Sequence, residues 1–297
     1  MQKSPKYVVV IGAARSGTKF VRDLIGSSLD CQAVPYDVNF IWRTSHTEKP
    51  HDKLKAWECS AQNAHKIQRK LQSLSRWHQE GKPEYIVEKT VSNSLRVPYI
   101  EQALEDVRYV HLIRDGRDVV ESSLRQWKAP ANPKYLLQKL RTMPLSDIGY
   151  AFWYLGNLIR GMRRRDRSVN VWGVRYPGIE QDLETKSLLE VCARQWTSCV
   201  DSALNDFQEV PPARRLEIRY EQLISDPTQV DRICDFLNLT DRPKVQQYYL
   251  QNLTVGRGSR WEQLSEDPSW QAALELMLPK LETLGYVGAA RTWQHAA

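Results

Sequence analysis

The chain of 297 residues carries a formal net charge of +7, from 42 basic and 35 acidic side chains, and 41% of its residues are hydrophobic. This length and apolar content suffice for the core of one enzyme-sized domain, and five scattered cysteines without a C-x-x-C pair argue against a disulfide framework or a zinc site. The positive charge favours anionic partners, but no recognition-helix pattern or aromatic-basic motif supports nucleic-acid binding.

The first predicted elements form a phosphate-binding arrangement. An apolar strand at 7–11 leads into the loop 12–19, which reads GAARSGTK, and a helical pattern follows at about 19–28. Small residues in such a turn let backbone N–H groups approach an anion, and the helix N-terminus adds its dipole. A Walker A loop places lysine before the hydroxyl residue that binds Mg²⁺, whereas here Thr18 precedes Lys19. The sequence therefore disfavours an ATP and Mg²⁺ site.

This loop resembles the 5′-phosphosulfate-binding loop of the sulfotransferase superfamily, in which a basic residue, Ser-Gly and a hydroxyl residue follow the first strand. The resemblance implies that 3′-phosphoadenosine 5′-phosphosulfate (PAPS) is the sulfuryl donor, that adenosine 3′,5′-bisphosphate (PAP) is the product, and that no metal is required. The residues that it assigns to donor binding are Arg15, Ser16, Gly17, Thr18, Lys19 and Phe20.

The segment 37–60 is irregular and rich in polar residues, Trp and Pro, and we predict that it forms part of the acceptor site rather than a core element. Carbohydrate sulfotransferases carry a glutamate in a Y-E-P context about twenty residues after the loop. Asp37 stands at that position here, so the resemblance assigns it as the base that takes the proton of an acceptor hydroxyl. Competing bases are the loop residues His46 and His51, together with Glu48 and Asp52.

A second strand pattern at 85–88 is followed by Lys89 and lies between helical patterns at 61–79 and 97–104. Glu88-Lys89-Thr90 resembles the E-K-S/T element of glycan-modifying sulfotransferases, whose lysine reaches the transferred sulfuryl group. Positive charge at that point stabilises the transition state of an in-line displacement without a metal. Removing Lys19 or Lys89 should therefore act mainly on kcat.

A third strand pattern at 108–113 ends at Arg114, and Ser122 follows eight residues later on a helix predicted at 117–127. This pair resembles the residues that hold the 3′-phosphate in the same superfamily. A guanidinium fork suits a phosphate dianion. In the C-terminal part, Arg257 and Gly258 resemble the loop that closes over the 3′-phosphate.

The remaining patterns alternate in the same way, with helices at about 148–165, 183–207, 227–237 and 269–284 and a strand at 214–219. Alternation of strands and helices predicts an α/β, P-loop-like three-layer fold with a central parallel sheet flanked by helices, and we expect one domain over residues 1–297. Trp196 fits the apolar stripe of its helix, which favours packing over adenine stacking. The segment 219–223 is expected to have a structural role.

The sequence thus predicts a PAPS-dependent sulfotransferase whose acceptor is a hydroxyl of a carbohydrate or glycolipid. Residues 1–6 hold no long apolar run, so we expect no signal peptide or transmembrane anchor and a cytoplasmic location. The alternatives are a P-loop kinase and a non-catalytic nucleotide- or polyanion-binding protein. A second acceptor-site loop is predicted at 128–147. Aromatic side chains that could stack on sugars are Trp42, Trp57, Trp127, Tyr135, Trp153 and Tyr154.

Overall fold

The structure, a computed structural model, describes residues 5–75, 83–129, 171–253 and 260–287. At its centre lies a parallel sheet of five strands, which confirms the predicted α/β class. The strands are β1 (Lys6–Ile11), β2 (Cys31–Ala33), β3 (Tyr85–Glu88), β4 (Val107–Ile113) and β5 (Arg215–Arg219). Their order across the sheet is β2-β3-β1-β4-β5.

Helices connect these strands and cover both faces of the sheet. In the described part of the chain they are α1 (Thr18–Ile25), α2 (Asn39–Trp42), α3 (Ala61–Ser75), α4 (Val97–Ala103), α5 (Gly116–Lys128), α6 (Ile179–Thr185), α7 (Leu188–Asp206), α8 (Tyr220–Ser225), α9 (Thr228–Leu237), α10 (Arg242–Asn252) and α11 (Pro268–Thr283). Short 3-10 turns lie at Ala56–Glu58, Val91–Leu95, Pro212–Arg214 and Arg260–Leu264.

The central strand β1 separates two apolar layers. Val8 and Val10 pack in one cluster with residues of α1, α9 and α10, whereas Tyr7, Val9 and Ile11 pack in another with residues of α3 and α4. Because both faces of a parallel sheet are buried, its strands read as continuous apolar runs. The predicted three-layer arrangement is therefore confirmed.

The prediction of one continuous helix at 183–207 is wrong, because the structure has two helices there, α6 and α7. The break is at Ser187, whose hydroxyl accepts a hydrogen bond from the Glu190 N–H at 3.2 Å while the Glu190 carboxylate accepts the Ser187 N–H at 2.9 Å. This capping box starts a new helix. The helix predicted at 148–165 lies outside the described residues.

The prediction that the segment 37–60 contains no core element is also wrong. Ile41 and Trp42 of the short helix α2, and Leu54 further along, are at most 1% exposed and belong to the cluster beneath α3 and α4. The sequence pattern does not reveal α2 because its apolar stretch is too short to show a helical period and is flanked by polar residues. The segment therefore both packs in the core and reaches the surface.

The order of the strands brings three predicted segments to one edge of the sheet. The loop 12–17 follows β1, Lys89 follows β3 and Arg114 follows β4, and β1 lies between the other two strands. In open parallel sheets, ligands bind at this carboxyl-terminal edge.

Candidate active site

The loop after β1 contains two residues in the left-handed region of backbone conformation, Arg15 with φ 69° and Gly17 with φ 93°. Such a backbone turns successive N–H groups toward one side and forms a concavity that suits an anion. Gly12 seats the loop on the sheet, since a Cβ added there would lie 2.6 Å from the Leu112 carbonyl oxygen. The start of α1 adds its unpaired N–H groups at the same place.

Arg15, Arg114 and Ser122 meet beside this loop. Arg15 Nε donates a hydrogen bond to Ser122 Oγ at 3.0 Å, and Arg114 donates to the Arg15 carbonyl oxygen at 3.0 Å. The carboxylate of Asp118 lies 3.8 Å from the Arg114 guanidinium. The structure thus joins the two segments in which the sequence predicts phosphate binding, although their residues are about a hundred positions apart.

The residues at this place fit a nucleotide that carries phosphate groups. Arg114 Nε is buried and has no hydrogen-bond partner among the described residues, and a buried donor without a partner costs free energy. A phosphate oxygen would supply an acceptor with a full charge. The side chains of Arg15 and Lys19 are exposed next to the buried Ser16 and Thr18, so cationic groups border the concavity.

Tyr220 belongs to this site and was missed by the sequence analysis. Its ring centroid lies 4.3 Å from the Arg114 guanidinium carbon, and a Cβ added to Gly17 would come within 2.7 Å of the ring. The structural role predicted for 219–223 suits Glu221, which accepts the Asp115 N–H at 2.9 Å. The signal for Tyr220 lies in its position directly after β5, the strand beside β4.

Two other aromatic residues near the loop pack inward. Trp196 is 1% exposed and donates its indole N–H to the Arg114 carbonyl oxygen at 3.3 Å, which confirms the prediction that it packs in the core. Phe20 packs against Tyr248 and Tyr249 of α10, with ring centroids 6.3 Å apart in each case. The described contacts of Phe20 are therefore with the apolar layer beneath α1.

Lys89 and Asp37, both predicted to be catalytic, form an ion pair beyond the end of β3. Lys89 Nζ lies 2.6 Å from Asp37 Oδ1, and the side chains are 10% and 33% exposed. The segment after β2 runs beside β3, where the Val34 N–H bonds the Val87 carbonyl oxygen at 2.8 Å, and this brings residues 52 positions apart together. A cation and a proton acceptor thus lie side by side. Lys19 forms no ion pair within the described residues.

A buried polar network lies next to this pair. The Glu88 carboxylate accepts hydrogen bonds from Thr90, Trp42 and Asn93, and Asn93 also accepts one from the buried guanidinium of Arg96 at 2.8 Å. Burial raises the pKa of Glu88 to about 7, against the opposing effect of the Thr90 hydrogen bond. Burial likewise lowers the pKa of Arg96 to about 10. Such groups are retained in a core only when they are paired.

Asp52, one of the competing bases, belongs to the same interior. It is 1% exposed and accepts hydrogen bonds from Ser92 Oγ at 2.7 Å and from the Arg175 N–H at 2.9 Å. Burial alone would raise the pKa of Asp52, but the charge of Arg96 and these hydrogen bonds hold it below its ordinary value. Its oxygens are occupied by partners that stabilise the carboxylate form.

The remaining competing bases form no hydrogen bond or ion pair with Lys89 or Asp37 among the described residues. His46 Nε2 lies 3.1 Å from the Glu58 carbonyl oxygen. His51 Nδ1 is buried without a partner there, and Glu48 is exposed. The geometry therefore favours Asp37 as the base.

Several sequence predictions fall on residues that the structure does not describe. They are Arg257 and Gly258, residues 130–147 of the second acceptor loop, and the aromatic residues Tyr135, Trp153 and Tyr154. Of the described aromatic candidates for sugar stacking, Trp42 is fully buried, which contradicts that prediction. Trp127 bonds Gln195 at 3.3 Å, and Trp57 is 80% exposed.

The described residues also bear on metal binding, on membrane insertion and on the state of the cysteines. No group of three or more His, Cys, Asp or Glu side chains within these ranges could hold a metal ion. The described helices include none that is long and apolar enough to cross a membrane. All five cysteines are buried free thiols, as predicted.

Comparisons with known proteins agree with the family and the fold predicted from the sequence. The profile of the sulfotransferase family matches residues 5–187 and 180–243. No relative was found among curated protein sequences.

Solved structures of low sequence identity share the fold. The sulfotransferase STF9 from Mycobacterium avium superimposes with a TM-score of 0.55 at 12% identity, over 95% of this chain and 77% of that chain. The sulfotransferase domain from the curacin biosynthetic pathway superimposes with a TM-score of 0.52 at 14% identity, over 93% of this chain and 97% of that chain. The sulfotransferase domain of the olefin synthase of Synechococcus PCC 7002 superimposes with a TM-score of 0.51 at 13% identity, over 97% of each chain.

Proposed function

This chain belongs to the sulfotransferase family and is a PAPS-dependent enzyme, and on that premise we propose that it sulfates a hydroxyl of a carbohydrate or glycolipid. The observation that carries the proposal is the contact of Lys89 with Asp37 at 2.6 Å. A hydroxyl is a poor nucleophile until its proton is removed, so a carboxylate beside the cation of the transfer site suits this class of acceptor.

The donor site is proposed to consist of the loop 12–17 with Arg15, Arg114 and Ser122. PAPS, when bound, supplies a sulfuryl group on a phosphate leaving group. The loop N–H groups and Lys19 would face the 5′ end, while Arg114 and Ser122 would face the 3′-phosphate, as the resemblance implies. The two ends are linked through the hydrogen bond from Arg15 to Ser122, so binding at one end would orient groups at the other.

Lys89 and Asp37 are proposed to act at the reacting atoms. One N–H of the Lys89 ammonium bonds Asp37, and its other donors can face oxygens of the donor, where negative charge grows as the bond to the leaving phosphate breaks. The Asp37 carboxylate would take the proton of the acceptor hydroxyl while the oxygen of that hydroxyl forms its bond to sulfur. Because Lys89 and Asp37 lie in contact, they would together keep the acceptor oxygen in line with the leaving group.

The segment 37–60 supports a carbohydrate acceptor. Trp57 exposes 80% of its surface, and the Lys55 ammonium lies 6.0 Å from its ring centroid. A large exposed aromatic face offers a sugar ring an apolar stacking surface, and the neighbouring cation suits an acceptor that bears acidic groups. We further propose that residues 1–297 act as one domain and that the enzyme works in the cytoplasm.

The test is transfer of labelled sulfuryl from PAPS to a panel of glycans, glycolipids, phenols and steroids. We expect transfer to members of the first two classes and not to the last two. Replacing Trp57 by Ala should raise KM for the glycan several-fold without changing KM for PAPS, whereas Trp57→Phe, which keeps an aromatic ring, should lose much less. Transfer only to phenols or steroids would overturn the carbohydrate proposal.

The catalytic roles are tested with Lys89→Ala and Asp37→Asn. Both should lower kcat by about 100-fold or more, since each removes a group that acts in the transition state. Matched charge controls are Lys244→Ala and Glu184→Gln, whose side chains are exposed elsewhere and should leave kcat unchanged. Wild-type kcat in the two active-site variants, with PAP binding retained, would refute the roles.

A further inference from the structure

Glu88 and Thr90 flank Lys89, and both are buried, with 0% and 1% of their surface exposed. The chemistry proposed above assigns a role to Lys89 but none to Glu88 or Thr90. A carboxylate costs free energy in the interior unless hydrogen bonds stabilise it. One of the hydrogen bonds that stabilise Glu88 comes from Thr90, whose hydroxyl also accepts the N–H of Val38, the residue after Asp37.

The hydroxyl of Thr90 connects two groups. It donates to Glu88 Oε1 at 2.5 Å, and it accepts the backbone N–H of Val38 at 2.9 Å. A hydroxyl has one proton and two lone pairs, so donation to Glu88 leaves a lone pair for Val38. The Glu88 carboxylate is itself held by Asn93 Nδ2 at 2.6 Å and by Trp42 Nε1 at 3.4 Å, which determines the direction of the Thr90 hydroxyl.

Val38 follows Asp37 directly, and Thr90 follows Lys89 directly. The bond from the Val38 N–H to Thr90 therefore ties the backbone of the proposed base to the backbone of the proposed catalytic cation. Beside this hydrogen bond, Lys89 Nζ lies 2.6 Å from Asp37 Oδ1. Asp37 itself is one-third exposed, so its own packing would not hold it in one place.

We propose that Thr90 is a positioning residue that holds Asp37 against Lys89, and that Glu88 orients the Thr90 hydroxyl for this task. The inference rests on the roles of Lys89 and Asp37 given under the proposed function. Thr90 would act through Asp37 and would touch neither donor nor acceptor. Its loss should therefore affect transfer rather than donor binding, because Arg15, Arg114 and Ser122, the residues proposed to bind the phosphates, contact one another on the segments after β1 and β4.

The substitution Thr90→Val keeps the size of the side chain and removes its hydroxyl, whereas Thr90→Ser keeps the hydroxyl. We expect Thr90→Val to lower kcat by roughly 10- to 100-fold, since small displacements of a catalytic group have effects of this order. KM for PAPS and Kd for PAP should stay within about twofold of wild type. Thr90→Ser should restore most of kcat, which a purely space-filling role for Thr90 would not predict.

A second readout does not depend on turnover. Brief acetylation of the ligand-free protein, followed by peptide mass spectrometry, reports how accessible the Lys89 amine is, with the exposed Lys55 as internal reference. The ion pair with Asp37 covers this amine in wild type. Labelling of Lys89 should rise several-fold in Asp37→Asn and in Thr90→Val, and it should stay at the wild-type level in Thr90→Ser.

Wild-type labelling and wild-type kcat in Thr90→Val would overturn the inference while leaving the proposed function intact. Retained kcat in Asp37→Asn and Lys89→Ala would instead refute the proposed roles themselves. PAP binding reports whether each variant folds. If Thr90→Val does not fold, Thr90→Ala, which avoids an added methyl group, takes its place with the same expected outcomes.

Discussion

At the scale of single residues, Glu88 is the most unusual ionisable group of the site. It is fully buried, and burial, together with the charge of Asp37, raises its pKa to about 7. Hydrogen bonds from Thr90 and Trp42 and the charge of Arg96 act in the opposite direction. The folded protein therefore binds a proton at Glu88 at pH values where the unfolded chain has already released it.

This difference predicts a pH-dependent stability. Between the ordinary pKa of 4.5 and the folded value of about 7, the folded state binds more protons, so the contribution of Glu88 to stability is present at low pH and is lost as pH rises. The substitution Glu88→Gln removes this slope. Urea unfolding at pH 5, 6, 7 and 8 should show the free energy of unfolding of Glu88→Gln rising relative to wild type by on the order of 1–3 kcal/mol. The exposed Glu184→Gln control should show a constant difference, and a constant difference for Glu88→Gln would contradict the raised pKa.

Tyr220 supports a second prediction at this scale. Its ring lies under the Arg114 guanidinium at 4.3 Å, an arrangement worth about 0.5–2 kcal/mol, and it also fills the space beside Gly17. Tyr220→Leu should therefore raise the Kd for PAP by roughly 3- to 30-fold, a factor that follows from this energy. Tyr220→Phe keeps the ring and should bind within about twofold of wild type. Calorimetric titration measures both, and equal affinity in Tyr220→Leu would show that the ring does not orient Arg114.

Residues carried by local motifs could be predicted from the sequence, and residues supplied by the topology could not. Arg15, Arg114 and Ser122 stand in recognisable contexts after apolar strands, and the structure brings them together. Tyr220 and Thr90 contact residues that are distant in the chain. Their contacts depend on which strands are neighbours, and no local pattern encodes this order.

At the scale of elements, the boundary between α6 and α7 shows how a cap overrides periodicity. Apolar residues recur at helical spacing across 183–207, yet the capping box of Ser187 and Glu190 starts a new helix. The short strand β2 was missed for a related reason, because three residues are too few to show a period. Long periodic helices such as α5, α9 and α11 were predicted to within about two residues of their observed ends.

The capping box gives a prediction for the element α7. The helix spans 19 residues and packs against α5 and α11 in the core, so a weaker start should be measurable as lower global stability. Ser187→Ala should reduce the free energy of unfolding by about 1 kcal/mol, and Ser187→Thr, which retains a capping hydroxyl, should lose less. Urea unfolding followed by circular dichroism compares the variants. Equal stability of Ser187→Ala and wild type would mean that packing alone determines where α7 begins.

At the scale of the whole molecule, the parallel sheet explains why distant motifs act together. The order β2-β3-β1-β4-β5 brings the ends of β3, β1 and β4 side by side, so the cations that follow these strands lie along one edge of the sheet. The net charge of +7 adds long-range attraction for a ligand with two phosphate groups, each of about −1.5 to −2 charges. This charge could be read from composition, but only the topology shows where it converges.

Donor binding should therefore depend on salt and not on a divalent metal. Screening shortens the range of electrostatic attraction from about 10 Å at 0.1 M salt to about 3 Å at 1 M, so the Kd for PAP should rise several-fold over this range, with or without EDTA. Arg114→Ala should bind PAP at least 10-fold more weakly at low salt and show a shallower salt dependence, because a charge-assisted contact is gone. Arg69→Ala removes the same charge at an exposed position of α3 and should bind like wild type. Tighter binding of ATP than of PAP, and only with Mg²⁺, would instead favour phosphoryl transfer, since a P-loop kinase holds its nucleotide together with the metal.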